Sequence, residues 1–315
     1  MYVGIDIGGT NLVAAVIGKA GQIISKSSRP VNHAWSAEEL CNEIAHLGQQ
    51  AATCGGIDLE EIQAVGIGLP GLADNESGMV IQTPNMPFCN TPLRELFQKQ
   101  WNVPVYLGND ANCAAIGEYW AGAAKGCESV VMITLGTGIG GGLIVNGKLH
   151  TGFANSAMEI GHMIIHPFGN LCGCGNRGCW EQYGSATALI RITKTEMERN
   201  RDSLLWELCE GDILNVEGRT PFQAARMGDK TAKQVLSTYL SGLSVGIINL
   251  VNILQPEVIC LGGGISNAED ELLLTPLRYM VDQGIFDKKA GVRIEKASLG
   301  NDAGVIGAAM LCNMI

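Results

Sequence analysis

Residues 130–149 read VVMITLGTGIGGGLIVNGKL, and residues 2–21 read YVGIDIGGTNLVAAVIGKAG. Laid over one another at an offset of 128, they place Asp6 on Thr134, Gly8 on Gly136 and Ile17 on Val145. Each copy is an apolar strand, a glycine turn and a second apolar strand. Repetition on this scale implies two lobes built on one plan. Glycines let backbone N–H groups approach a phosphate closely, and consecutive amides form an anion-binding concavity. The expected architecture is therefore α/β and duplicated, each lobe presenting its glycine turn to a shared cleft. Residues 1–110, completed by a C-terminal helix over 302–315, are expected to form one lobe, and residues 111–301 the other. A single glycine-rich hairpin would be only a hairpin. Two copies, the first carrying a carboxylate, point to a polyphosphate ligand.

Outward from the second turn lie Glu159-Ile160-Gly161-His162 and then CGCGNRGCWE, which places Cys172, Cys174 and Cys179 at C-x-C-x4-C spacing. Three thiolates with an imidazole ten residues upstream can close a tetrahedral shell around Zn²⁺. His162 is the candidate fourth ligand and His166 its rival. A disulfide framework would require an oxidising compartment, and eleven cysteines is an odd number. Buried structural thiols are the other alternative, but the glycines and asparagine around Cys172 and Cys174 are turn chemistry. With four protein ligands no position remains for water, so the expected zinc is structural and shapes the adjoining loop. Glu159 and His162, three apart, share one face of a helical turn.

The chain has 315 residues, 46% of them hydrophobic, and a formal charge of −10. That charge disfavours a polyanionic partner, so no nucleic acid is expected. The longest apolar helical run, Val235 to Leu254, is interrupted by Ser237, Thr238, Ser241, Ser244 and Asn249 and reads as a buried core helix, with no membrane partner. The opening MYVGIDIGG carries no signal segment, which together with the many thiols leads to an expected cytoplasmic location.

Asp6 ends an apolar strand, where an unpaired carboxylate is costly to bury; it either holds hydrated Mg²⁺ or bonds to its own turn. Ser36-Ala37-Glu38-Glu39 is a capping box for a scaffold helix ending at Cys54-Gly55. A strand over Ala64–Leu69 closes on Pro70-Gly71. Pro84-Asn85-Met86-Pro87 presents an amide between prolines, or simply shapes its turn. A strand over 103–107 delivers Asn109-Asp110 to the start of a helix over 111–121. Asp110 is either that helix's N-cap or, at the carboxyl end of a strand, a base for a substrate hydroxyl that Asn109 orients. Further on, 185–199 and 231–254 read as helices and 257–261 as a strand leading to Gly262-Gly263-Gly264-Ile265-Ser266, a turn suited to the flat face of a nucleotide. Asp302 is expected to cap a last helix over 303–314.

DIGGTN, LPG, PN, GND, LGTGIGGG, EIGH, CGCGNRGCWE and LGGG stand in the order found in the ROK family of sugar kinases and sugar-responsive repressors, which the chain resembles along nearly its whole length. The cysteine block is the specific part. The DIGGT turn is shared more widely, across the actin-like (ribonuclease H-like) ATPases. The resemblance implies an ATP-dependent kinase that phosphorylates the 6-hydroxyl of a hexose. Asp110 would be the catalytic base and Asp6 would help hold Mg²⁺. Gly8, Gly9, Thr10, Asn11, Thr137 and Gly138 would line the phosphates, with Gly263 and Gly264 near the nucleotide. Gly71, Asn85, Asn109, Asp110, Glu159, His162 and Glu181 would contact the sugar, and His162, Cys172, Cys174 and Cys179 would hold zinc. Members are usually dimers or tetramers. Glucose is the expected sugar. N-acetylmannosamine, N-acetylglucosamine, allose, mannose and fructose are alternatives, because Met86-Pro87-Phe88-Cys89 replaces the frequent Leu-Pro-Gly-Trp. Position 11 is Asn where many members have Lys. Two other classes compete: a non-catalytic sugar-sensing repressor core, which would carry an additional DNA-binding module ahead of residue 2, and a chaperone-type ATPase, which has no use for Glu159, His162 and the cysteines.

Overall fold

The computed structural model describes residues 1–314, which fall into two compact units: residues 1–132 with 142–158 and 297–314, and residues 133–141 with 159–296. In chain order the strands begin with β1 (Tyr2–Ile7), β2 (Asn11–Ile17), β3 (Ile23–Pro30), β4 (Ala64–Leu69), β5 (Leu72–Asp74), β6 (Met79–Gln82), β7 (Cys89–Thr91) and β8 (Val105–Asn109). The remainder are β9 (Val130–Leu135), β10 (Ile139–Val145), β11 (Lys148–Leu149), β12 (Val258–Gly262) and β13 (Arg293–Lys296). The two large sheets have the orders β3-β2-β1-β4-β8 and β11-β10-β9-β12-β13. Each begins with an antiparallel three-strand meander and adds two later strands on the far side of its first strand. The sequence repeat is thus a repeat of sheet topology. β5, β6 and β7 form a small antiparallel sheet of their own.

In the first unit β1 pairs in parallel with β4, and β4 with β8, so their carboxyl ends lie together. One face of this sheet is covered by the helix Ala37–Cys54. Ser36 caps it reciprocally with Glu39, and Leu40, Ile44, Leu47 and Ala51 pack into the core with Val3, Ile5 and Ile67. The helix Ala303–Met310 lies so close to the strands that a Cβ on Gly4 would fall 1.9 Å from Val305 O and one on Gly66 1.7 Å from Ala308 O. The helix Asp110–Ala121 meets it in the same manner, with Gly117 against Ala303 O and Gly307 against Cys113 O. These backbone contacts carry the first unit beyond the expected residues 1–110. Buried Glu118 fastens the returning chain by accepting the N–H groups of Ser298 (3.0 Å) and Leu299 (2.8 Å) and that of Ala123 (2.7 Å), so its charge is fully hydrogen-bonded.

Two expectations at the C-terminus are corrected. Asp302 makes no side-chain cap; its carboxylate pairs with Lys26 of β3 instead. The last α-helix ends at Met310 and tightens to a 3₁₀ turn over Leu311–Asn313, short of the expected 314. In the second unit the helix Lys230–Leu254 is long and apolar enough to cross a membrane by length and composition, but half of that stretch is buried. Its inner stripe of Val235, Tyr239, Leu243, Ile247 and Leu250 is core.

Candidate active site

In the first unit, the helix that follows β8 begins with Asn109, not Asp110, as its cap: Asn109 Oδ1 accepts the N–H groups of Ala111 (2.9 Å) and Asn112 (3.3 Å). Asp110 is the first helical residue, and one of its oxygens accepts from Ala111 N–H at 2.8 Å. The other end of the Asn109 amide donates to Gly71 O at 3.1 Å, so Asn109 also ties the β8 end to the bend after β4. Gly71 adopts φ +95° and approaches β6 so closely that a Cβ would fall 2.3 Å from Gln82 O, which only glycine allows. Asn85 is exposed in the β6–β7 loop with φ +58°, and Thr83 Oγ1 closes that loop by donating to Met86 O (3.2 Å) and Phe88 O (3.0 Å).

The β1–β2 turn is closed by Gly8 N–H donating to Asn11 O at 3.0 Å, leaving Gly9, Thr10 and Asn11 exposed. Asp6 lies just below this turn, with the start of the last helix against it: a Cβ on Gly304 would fall 2.7 Å from Asp6 Oδ2. Burial, and then the negative charge of Asp110, push the Asp6 carboxyl up to about 6, while Lys26 pulls the other way. A carboxyl raised by burial and by a neighbouring carboxylate suits a divalent cation, which would favour its charged form. Asp6, Asp110 and the first glycine turn are the groups of this unit that could hold a divalent cation.

In the second unit, the glycine turn is closed by Gly136 N–H donating to Gly138 O at 3.1 Å. Gly263 takes φ +86°, with its Cα so close to β9 that a Cβ would lie 2.4 Å from Leu135 O. Thr137 and Gly264 open onto a cavity of about 540 Å³, whose remaining wall includes Ala186, Glu217, Arg219, Phe222, Gln223, Arg226, Asn267 and Glu269. Its size and largely apolar lining with a polar rim suit a small organic ligand. Sequence reasoning placed the glycines here and missed the wall from 217 to 226. Pro221 at the start of the helix Thr220–Arg226 is the one signal that marks it as an element.

The four residues named as zinc ligands from the sequence stand together in the fold. Single ligand atoms of His162, Cys172, Cys174 and Cys179 all lie within 4.8 Å of one another. His166 lies apart from them, its ring stacked on Tyr183 at 6.0 Å. Isolated bridges join Ile164 to Cys179 and Leu171 to Arg177, and Trp180 N–H donates to Met163 O at 2.8 Å, so the His162 turn and the cysteine loop are one piece. Donation from the Asn176 backbone holds the Cys174 thiol down at about 7, whereas burial pushes Cys172 up; a cation would have to displace the Cys172 proton. Three sulfurs and one imidazole nitrogen at this closeness match the donor set and number of a structural zinc site. Glu159 begins the 3₁₀ turn Ile160–His162 and is exposed. Met158 before it has φ +67°, a costly position for an unbranched apolar side chain and one that fixes where Glu159 starts. Glu181 Oε1 lies 3.0 Å from Cys172 Sγ, and its Oε2 is 2.7 Å from where a Cβ of Gly138 would stand. The structure therefore gathers His162, the cysteines, Glu181 and the second glycine turn within one unit, and Asp6, Asn109, Asp110 and Gly71 within the other.

Two sheets of the same strand order, each led by a glycine hairpin, make this an actin-like α/β ATPase fold. The chain belongs to the ROK family, whose family model matches residues 2–314. It is 36% identical over 311 residues to a glucokinase of Thermotoga maritima, with 98% of this chain and 96% of that one covered. It is 31% identical over 311 residues to a xylose repressor of Caldicellulosiruptor bescii, with 97% and 76% covered. Among solved structures, a ROK family glucokinase from Streptomyces griseus in complex with glucose and AMPPNP matches with a TM-score of 0.82 and 35% identity, covering 98% of each chain.

Proposed function

We propose that this protein is an ATP-dependent sugar kinase that transfers the γ-phosphoryl group to the 6-hydroxyl of a hexose, with glucose as the preferred acceptor. The observation that carries this reading is the start of the helix after β8. Asn109 supplies the cap, so Asp110 is not needed for it, and Asp110 stands close enough to Asp6 to raise its pKa. Asp110 takes the proton from the attacking hydroxyl, and Asn109 and Gly71 fix the loop that carries it. Asn85, Glu159, His162 and Glu181 bond to the other sugar hydroxyls. The turns at Gly8, Gly9, Thr10 and Asn11 and at Thr137 and Gly138 hold the phosphates, with Gly263 and Gly264 against the nucleoside. Mg²⁺, held with the help of Asp6, neutralises charge on the transferring group. Zinc on His162, Cys172, Cys174 and Cys179 is structural and keeps the Glu159–His162 turn and Glu181 in place. Its net charge and its buried long helix fit a soluble cytoplasmic enzyme without nucleic-acid or membrane partners, assembled as a dimer or tetramer.

A coupled assay of ADP release over a panel of about a dozen hexoses and N-acetylhexosamines tests the reading. Sugar-dependent release that is highest with glucose supports it; ATP hydrolysis indifferent to sugar sinks it. The loop Pro84-Asn85-Met86-Pro87-Phe88-Cys89 is the observation that favours another hexose, and the same panel decides between them. Zinc removal by a chelator should raise the KM for sugar at least about tenfold, since a loosened first contact loses about 1.4 kcal/mol or more. Equal kinetics for stripped and zinc-loaded protein, with metal content measured on both, would take zinc out of the site.

A further inference from the structure

Trp180 stands between Cys179 and Glu181, and its indole is completely buried. It lies in a slot on the helix Lys230–Leu254 formed by Gly242 and Gly246, which are four apart and so on one face. The indole N–H donates to Gly242 O at 3.1 Å. A Cβ on Gly246 would fall 2.0 Å from indole Cε2, so the flat ring occupies the space that the missing side chain leaves there, while at Gly242 that space is taken by Tyr183, whose Cβ lies 2.9 Å from where one would stand. The chain on either side of the ring is fastened to functional groups. Cys179 belongs to the metal cluster, and Glu181 lies between Cys172 and Gly138. Tyr239 Oη donates to Gly184 O at 2.7 Å. Ala186 N–H donates to Gly136 O at 2.9 Å, and Thr187 Oγ1 donates to Thr137 O at 2.8 Å. One short run, 179–187, is thereby bonded to the cysteine loop at one end and to the second glycine turn at the other.

We propose that Trp180 is a positioning residue: seated in the Gly242/Gly246 slot, it sets where Glu181 meets the sugar and where the turn at 136–138 meets the phosphates. This rests on the reading of the chain as a sugar kinase. A rigid two-ring side chain in a slot of fixed depth has no alternative rotamer to absorb a displacement. A change at the slot is therefore passed to Glu181, one residue away, and a binding group displaced by about 1 Å holds its ligand less well.

The test is a size exchange across the slot, read as separate constants for sugar and ATP together with thermal stability. Gly246→Ala should raise the KM for sugar at least about tenfold and that for ATP by less, with kcat changed by under about threefold. Trp180→Leu combined with Gly246→Ala should recover part of the lost sugar affinity, because the shorter side chain accepts the new methyl group. If Gly246→Ala does not fold, Trp180→Phe decides, since it keeps an aromatic ring in the slot while removing the N–H to Gly242 O and part of the indole's width; a sugar KM raised about threefold is then expected. A fall in melting temperature with both KM values unchanged, in whichever variant folds, would show a structural role only and overturn the proposal. Failure of the kinase reading would appear separately, as absence of sugar-dependent ADP release by the unaltered protein.

Discussion

Asp110→Asn should lower kcat at least about a hundredfold while sugar affinity stays within a few-fold. The amide keeps the size of the side chain and can still accept a hydrogen bond, as the carboxylate does from Ala111 N–H. The helix start is undisturbed, because Asn109 is its cap. What disappears is a group able to take the hydroxyl proton as phosphorus is attacked, a contribution of about 10²- to 10⁴-fold in rate. Equilibrium sugar binding measured by calorimetry, beside kcat from the coupled assay, separates the two effects. Turnover within a few-fold of the unaltered enzyme would remove Asp110 from the role of base. Asn109→Ala, in contrast, removes a cap and the link to Gly71 together, and should harm stability as well as rate.

The parts of this architecture that could be read in advance are those where backbone geometry restricts residue choice. A turn that must bring N–H groups to a phosphate needs glycine, so its two copies stand out, and the equal strand orders of the sheets follow from them. Side chains that could share one ion recur at short spacing, so the three cysteines were legible and His162 was named with them; that His162 and not His166 joins the cluster depends on how the chain folds back through the Ile164–Cys179 bridge. The wall of the nucleotide-sized cavity was invisible because Phe222, Gln223 and Arg226 sit on an ordinary short helix whose position is set by packing against its neighbours. The same holds for Trp180, which sequence alone assigns to a motif and not to a slot on a helix more than sixty residues away. Asp302 was misread for a related reason: a helix start favours a capping Asp, but Lys26 on β3 lies within reach and takes the carboxylate.

Asp6→Asn should separate stability from activity in opposite directions. In the folded protein the Asp6 carboxyl is raised from an ordinary 3.8 to about 6, chiefly by burial and then by Asp110. Between about pH 4 and 6 the folded state therefore holds a proton that the unfolded chain has released. The stability this group contributes is present below about pH 4 and is lost as pH rises through 6. At pH 7.5 the charged carboxylate is a liability in the ligand-free protein, and a divalent cation is what would offset it. Asp6→Asn should accordingly leave the ligand-free protein at least as stable at pH 7.5 and flatten its melting temperature between pH 4 and 6. It should also abolish the rise in melting temperature that MgCl₂ gives the unaltered protein. Activity should fall at least about a hundredfold, the scale of a lost metal contact in phosphoryl transfer. The unaltered enzyme should for the same reason lose activity as pH falls below about 6, where Asp6 becomes protonated. Thermal melts over a pH series, with and without MgCl₂, check the first set of outcomes, and the coupled assay checks the second. A variant that melts well below the parent at pH 7.5, or one that turns over sugar at the parental rate, would show that the charge on Asp6 serves the fold and not the metal.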